Sequence, residues 1–122
     1  PFLPARIDAQ EVVALKLLKR YLNLKYESER KAKRPPSIYL TKVVGDIGYF
    51  SEGLAFQLFK LSEQLSHEMD FHLTQNSRPN HVNPSYEADL INDRWPREDY
   101  EELDMKFFKT KLDDLTVRRA SI

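Results

Sequence analysis

Apolar residues spaced three and four positions apart dominate this sequence. Because an α-helix has about 3.6 residues per turn, residues at this spacing share one helical face. In the segment 12–26 that face consists of Val12, Leu15, Leu18, Leu22 and Tyr26. Leu17, Tyr21 and Leu24 widen it, which predicts a central helix that packs on two sides.

The same spacing recurs further along the chain. Pro35, Pro36 and Ser37 precede an apolar run and predict a shorter helix that ends at Gly45 or Gly48. A third helix is predicted from Ser51, with a regular stripe formed by Leu54, Leu58, Leu61, Leu65 and Met69. A last helix is predicted from Pro96, with an inner face formed by Leu103, Phe107, Leu112 and Leu115.

The segment 74–95 differs from the rest in its Asn, Pro and Ser residues, which favour turns over long elements. Long loops in compact domains are usually functional or fixed onto the fold. We expect a strap across the bundle, anchored by Tyr86, Leu90, Ile91 and Trp95. The predicted fold class is therefore all-α, a compact bundle of about four to five helices with a long Asn/Pro-rich strap before the last helix.

Length and composition limit the architecture and the partners. The 122 residues, 41% of them apolar, predict one domain, residues 1–122. Lys plus Arg balance Asp plus Glu at 19 each, so no net charge draws the whole domain to nucleic acid or to an acidic membrane. No cysteine is present, and no apolar run approaches the roughly 20 residues that span a bilayer. We expect a soluble, cytoplasmic protein that has no membrane partner.

The sequence contains no motif of a catalytic or metal centre. His67 and His72 are five positions apart, so they diverge by roughly 140° around a helix and do not face one metal ion. His81 is interpreted as a loop residue, and the acidic run REDYEELD, residues 97–104, as a helix start with a solvated face. Catalytic and metal-binding residues are therefore predicted to be absent.

Two residues have both a structural and a functional interpretation. Lys19 falls at the edge of the buried arc of the first helix, where a lysine commonly extends its methylenes along the core and its ammonium into water. Ser37 lies at a helix start, where it is either an ordinary N-cap or part of an anion site formed by free N–H groups and the helix dipole. Neither residue alone decides between these interpretations.

Three segments in order carry a resemblance to a known family. The succession VVALKLLKRYL, RPPSIYLTKVV and NPSYEADLINDRW before a last helix resembles the C-terminal helical domain of the bacterial cyclic-oligonucleotide synthases, the CD-NTases of antiphage systems. Those enzymes are similar to the animal cyclic GMP–AMP synthase and the oligoadenylate synthetases, within the polymerase-β-like nucleotidyltransferase superfamily. The resemblance extends over residues 8–115.

The resemblance implies roles for three residues. Lys19 and Ser37 would contact the triphosphate of a bound nucleotide, ATP or GTP. Ile38 stands where the family often has an aromatic residue against the base, so apolar contact would replace stacking. A lysine and a helix-start hydroxyl suit a triphosphate because charge-assisted hydrogen bonds are strong.

The resemblance also implies a division of labour between two domains. In the family a Gly-Ser turn and paired acidic residues that hold two magnesium ions lie on another domain, and neither motif occurs in this sequence. The chain would then be the nucleotide-positioning C-terminal half of a longer nucleotidyltransferase, inactive without its own N-terminal catalytic domain. A regulatory protein is a further expected partner.

A different interpretation is a stand-alone helical interaction module. The basic run RKAKR, residues 30–34, would then contact the phosphates of a nucleic acid or an acidic protein. The plainer interpretation of this run is a solvated loop, because the chain has zero net charge.

Overall fold

Helices make up most of the chain that the structure, a computed structural model, describes: residues 9–77, 79, 82–83, 86–90, 95–97 and 99–121. Within these ranges, α1 spans Gln10–Tyr26, α2 Ser37–Ile47, α3 Leu54–Gln75 and α4 Glu101–Ser121. Between α3 and α4 the short strands β1, Val82–Asn83, and β2, Tyr86–Leu90, pair in antiparallel fashion. The predicted all-α bundle is confirmed. A strand of two residues is too short for alternating polarity to indicate it.

Both ends of α2 lie at residues with restricted or unusual backbone geometry. Helix α2 begins directly after Pro36, whose φ of −70° suits a helix start. It ends at Gly48, where φ is +75° and the backbone N–H bonds to the Val44 oxygen at 3.2 Å. The predicted end at Gly48 is confirmed, because a glycine adopts this left-handed geometry without steric cost.

Two predicted helix starts were too early. Helix α3 begins after Gly53, with φ of +115°, and not at Ser51, because the turn at residues 51–52 is completed first. Helix α4 begins at Glu101 and not at Pro96. The N–H of Tyr100 bonds to the Arg97 oxygen at 2.9 Å, so a separate turn stands between the proline and the helix.

The core lies where α3 packs against α1, α2 and α4. Trp95, just upstream of α4, is 2% exposed and belongs to this core. Its ring centroid is 6.0 Å from that of Tyr39 and 5.6 Å from that of Phe108, which joins α2 to α4. The core cluster consists of Leu15, Leu18, Leu22, Tyr39, Leu40, Val43, Leu61, Leu65, Met69, Trp95, Met105, Phe108 and Leu112.

The predicted stripes of α1 and α3 supply six of the thirteen core residues, but Leu54 of the α3 stripe is exposed and two further faces were assigned wrongly. Leu17 and Leu24 are 41% and 66% exposed, so α1 does not bury the wider face that a two-sided packing requires. On α4, Leu103 is exposed, whereas Met105 and Phe108 are buried. Charged residues lie between these apolar positions and obscure the true register of α4.

The predicted strap is described only in parts. Trp95, one of its predicted anchors, is buried as expected. Ile91 and His81 lie outside the described residues, and so do the side chains of Tyr86 and Leu90. The strap therefore stays a prediction. Within the described ranges no helix is long and apolar enough to cross a membrane.

Candidate functional site

Lys19 lies on α1 beside the buried row of Leu15, Leu18 and Leu22, and it is half-buried. The position at the edge of the buried arc is confirmed, and the neighbouring Lys16 and Arg20 are exposed. Among the described residues, Lys19 forms no ion pair. Its ammonium is therefore not neutralised by a carboxylate of this part of the chain.

Ser37 is the first residue of α2 and is exposed. The N-cap is Pro36, which has no side-chain donor or acceptor, so the interpretation of Ser37 as the N-cap is wrong. The Pro36 oxygen accepts the N–H groups of Tyr39 at 3.1 Å and Leu40 at 3.4 Å. The N–H groups of Ser37 and Ile38 and the Ser37 hydroxyl donate to no other described residue, so three donors are open at the helix start.

Ile38 and Tyr39 point in different directions from the start of α2. Ile38 is 42% exposed, whereas Tyr39 is fully buried and its hydroxyl donates to Glu68 Oε1 at 2.5 Å. Burial, followed by the charge and the hydrogen bond of Glu68, raises the pKa of Tyr39 above its ordinary value. Ile38 is thus available to a ligand at the helix start, and Tyr39 is a structural residue.

Helices α1 and α2 pack against each other, which brings Lys19 and Ser37 onto neighbouring elements. Residues 9–26 and 37–47 that flank the connecting loop contribute to one core cluster. The position of Ser37 is fixed by this core through Tyr39 and Leu40, both of them buried. Any ligand of Ser37 would therefore meet a helix start that is already ordered.

The loop before Ser37 is held by residues near the start of α4. Asp104 is fully buried, and its Oδ1 accepts the N–H of Lys33 at 2.9 Å. Trp95 Nε1 donates to the Lys33 oxygen at 2.7 Å, and Arg97 Nη2 donates to the Lys31 oxygen. The acidic run 97–104 was predicted to be a solvated face, and for Asp104 this is wrong because its carboxylate serves as an internal acceptor.

Hydrogen bonding determines the charge states of Asp104 and Arg97. Burial by itself raises the pKa of Asp104, but hydrogen bonds from Arg97 and from the Lys33 N–H outweigh it and the pKa is lowered. Hydrogen bonds to Asp104 raise the pKa of Arg97. Both groups therefore stay charged at neutral pH and form an ion pair at 2.8 Å.

Sequence reasoning missed Asp104 and also Gln57, which is 1% exposed. Gln57 Oε1 accepts from Gln10 Nε2 at 2.8 Å and from the Phe50 N–H at 2.9 Å, and its Nε2 donates to the Gly48 oxygen at 2.8 Å. One available signal was position, because Gln57 is four residues before Leu61 and Asp104 four before Phe108. Polar residues at the period of the buried stripe are candidates for internal hydrogen bonding.

Two of the three histidines lie among the described residues. His67 is exposed, and His72 Nδ1 lies 2.9 Å from the Ser77 hydroxyl. In the described part of the chain, no three His, Asp or Glu side chains converge in a way that could hold a metal ion.

A cleft lies between the end of α3 and the start of α4. This cleft has a volume of about 670 Å³ and a mostly polar lining. Its lining residues are His72, Leu73, Thr74, Asn76, Ser77, Glu101, Glu102, Met105 and Lys106. None of the residues predicted to bind nucleotide lies in it.

Comparison with known proteins is informative for the solved structures. No protein-family model matches the sequence. No curated protein matches it either. The structure is similar to that of the CD-NTase CdnG of Bradyrhizobium diazoefficiens in complex with GTP, with a TM-score of 0.80 and 23% sequence identity over 93% of this chain.

The chain has the fold of part of a bacterial CD-NTase. It covers 32% of the CdnG chain, so the likeness concerns a segment of that protein and not the whole. At 23% identity the similarity establishes a shared fold, and the nucleotide in the CdnG complex belongs to CdnG.

Proposed function

We propose that this chain is the nucleotide-positioning helical domain of a nucleotidyltransferase that makes cyclic or linear oligonucleotide second messengers in antiphage signalling. The observation that carries the proposal is the shared fold, which extends over 93% of this chain but 32% of the CD-NTase. A chain of this extent corresponds to one part of an enzyme, in agreement with the absence of catalytic motifs from its sequence.

The proposed site consists of Lys19, Ser37 and Ile38. The ammonium of Lys19 and the hydroxyl and N–H groups at the start of α2 would bind the triphosphate of ATP or GTP. Three open donors at a helix start and a cation without a described carboxylate partner suit a polyanion. The exposed Ile38 side chain would pack against the base.

The chemistry itself would belong to another domain. In this proposal an N-terminal catalytic domain of the same cytoplasmic polypeptide holds Mg²⁺ and joins the nucleotides, and the helical domain orients the substrate. Orientation of a bound nucleotide lowers the barrier of a phosphoryl transfer without a new bond to protein. A regulatory protein would control the assembled enzyme.

Nucleotide titration tests the proposal. ATP and GTP are titrated with Mg²⁺ onto the protein as its gene encodes it, and onto Lys19→Ala and Ser37→Ala. Each substitution is expected to weaken affinity about tenfold to a hundredfold, because a hydrogen bond to a charged group is worth about 1.5–3 kcal/mol. Lys16→Ala and Ser51→Ala, which alter exposed residues of the same types, serve as matched controls.

Two results would contradict the proposal. One is unaltered affinity in Lys19→Ala and Ser37→Ala while circular dichroism shows intact helices. The other is oligonucleotide synthesis by residues 1–122 alone, which would mean that the catalytic groups lie within this chain.

A further inference from the structure

The loop between α1 and α2 combines exposed charge with an ordered backbone. Arg30, Lys31, Lys33 and Arg34 are exposed, and Ala32 between them is 8% exposed. None of the four cations forms an ion pair with a described carboxylate. They therefore project from a loop whose centre is fastened to the protein.

The bonds that order this loop use its backbone and leave its cationic side chains free to bind a ligand. Asp104 accepts the N–H of Lys33, and Trp95 and Arg97 donate to the oxygens of Lys33 and Lys31. Glu29 Oε2 accepts the N–H groups of Lys31 at 2.8 Å and Ala32 at 2.9 Å.

Glu29, which precedes the loop, also accepts hydrogen bonds from it. The two backbone hydrogen bonds from Ala32 and Lys31 lower the pKa of Glu29, so its carboxylate serves the loop as an acceptor. A loop fixed in this way loses little conformational entropy when an anion binds, which raises affinity.

An exposed aromatic ring lies against Arg97, which is hydrogen-bonded to the loop. The guanidinium carbon of Arg97 is 4.5 Å from the centroid of the Tyr100 ring, and the same guanidinium bonds to the Lys31 oxygen. Tyr100 is 52% exposed. Proteins that bind single-stranded nucleic acid combine basic residues along the phosphate backbone with aromatic rings on which bases stack. An acidic peptide would use the cations but not the ring.

We propose that the loop of residues 30–34, together with Tyr100, is a preorganised surface for single-stranded nucleic acid. The four cations bind phosphates, and one base stacks on Tyr100. This function does not rest on the proposed nucleotide site, because it uses none of Lys19, Ser37 and Ile38.

The role of the loop cations is tested by the binding of a fluorescent oligouridine, measured by anisotropy over a series of salt concentrations. The double substitution Lys31→Gln and Lys33→Gln is expected to weaken binding about tenfold at low salt. It is also expected to reduce the slope of log K against log salt by roughly 1.4, because each phosphate contact on a single strand contributes about 0.7. Lys42→Gln with Lys106→Gln changes net charge equally and is expected to change affinity less than about twofold.

Two further substitutions test whether the order of the loop matters. Asp104→Asn removes a negative charge, so if net charge alone determined affinity, oligouridine would bind more tightly. Because the substitution also removes the anchor of the loop, we expect binding to weaken about threefold or more. Trp95→Phe keeps an aromatic ring in the core and removes the donor to Lys33, so it gives the same test if Asp104→Asn fails to fold. Tyr100→Ala is expected to weaken binding about fivefold or more.

Each alternative outcome overturns the proposal. If the loop double variant and its charge-matched control bind oligouridine equally well, the loop is not part of the binding site. Unchanged or tighter binding of oligouridine by folded Trp95→Phe would show that the order of the loop does not contribute to affinity. If polyglutamate binds with the same affinity as oligouridine, the loop is a surface for acidic partners in general. If ATP displaces oligouridine at constant ionic strength, the loop is part of a mononucleotide site.

Discussion

Arg97 donates three hydrogen bonds to the buried carboxylate of Asp104. Its backbone N–H and Nε bond to Oδ2, both at 3.0 Å, and its Nη2 bonds to Oδ1 at 2.8 Å. Asp104 also accepts the N–H of Lys33, so four donors converge on one carboxylate. This pair fastens the loop between α1 and α2 to the start of α4 and thereby determines where the basic residues are presented.

Replacement of Asp104 by Asn is expected to lower the free energy of unfolding by about 2–4 kcal/mol. The substitution leaves a partly buried guanidinium without its counter-charge and places an amide donor among donors. Urea denaturation measures the change. Asp46→Asn, which breaks the surface pair of Asp46 with Lys42, is the control and is expected to cost less than about 1 kcal/mol. Equal losses in the two variants would contradict a special role for Asp104.

The lowered pKa of Asp104 predicts acid sensitivity. A carboxylate whose pKa is lower in the folded state stabilises the fold above its unfolded pKa of about 3.9, and this stabilisation is lost as the pH falls below that value. The free energy of unfolding of the wild type, measured from pH 6 to pH 3, is expected to fall more steeply than that of Asp104→Asn. Glu29 and Glu102 also have lowered pKa values and are retained in both proteins, so they provide a shared background slope. Parallel curves would show that Asp104 is not the responsible group.

Gln57 is expected to be essential for the turn between α2 and α3. Gln57→Ala removes the partners of Gln10 Nε2, the Phe50 N–H and the Gly48 oxygen, and unsatisfied buried groups cost about 1–3 kcal/mol each. We expect a loss of about 2–4 kcal/mol in the free energy of unfolding, because water reaches part of the turn. Gln75→Ala, at an exposed helix end, is the control and is expected to change stability little.

A double-mutant cycle with Gln10→Ala checks this mechanism. Because Gln10 Nε2 also donates to the Phe50 oxygen at 2.6 Å, the two glutamines share one network. A coupling energy of about 0.5 kcal/mol or more is expected for residues in direct contact. Purely additive losses would mean that Gln57 acts only by filling space.

Ile38→Tyr is expected to tighten nucleotide binding without a change in stability. Ile38 is 42% exposed, so a larger side chain meets no core residue, and an aromatic ring against a base adds about 0.5–1.5 kcal/mol beyond its buried area. The affinity for ATP or GTP, measured by calorimetry, is expected to rise about twofold to tenfold. Leu54→Tyr changes another exposed apolar residue, on α3, and is expected to leave affinity unaltered. A gain in both variants would indicate non-specific adhesion of nucleotide to exposed rings.

Local chemistry explains which parts of the fold were predictable. The stripes of α1 and α3 and the glycine end of α2 follow from side-chain period and backbone preference, which neighbouring residues determine. The register of α4 was missed because charged residues lie next to each buried position, and the exposure of Leu17 and Leu24 depends on whether another element covers them. The predicted nucleotide residues were placed on the correct elements, and their function stays a prediction.

The sequence by itself determined that the chain forms amphipathic helices, that Lys19 lies at the edge of a buried face and that Ser37 lies at a helix start. The tertiary structure alone decided that Asp104, read as a solvated acid, is buried against Arg97, and that the charged loop has a fixed backbone. The physical reason is the separation along the chain of the residues that interact. Helical period is set by residues within one or two turns, whereas the partners of Asp104 include the N–H of Lys33, 71 positions away along the chain. Only the packed helices bring these groups within hydrogen-bonding distance.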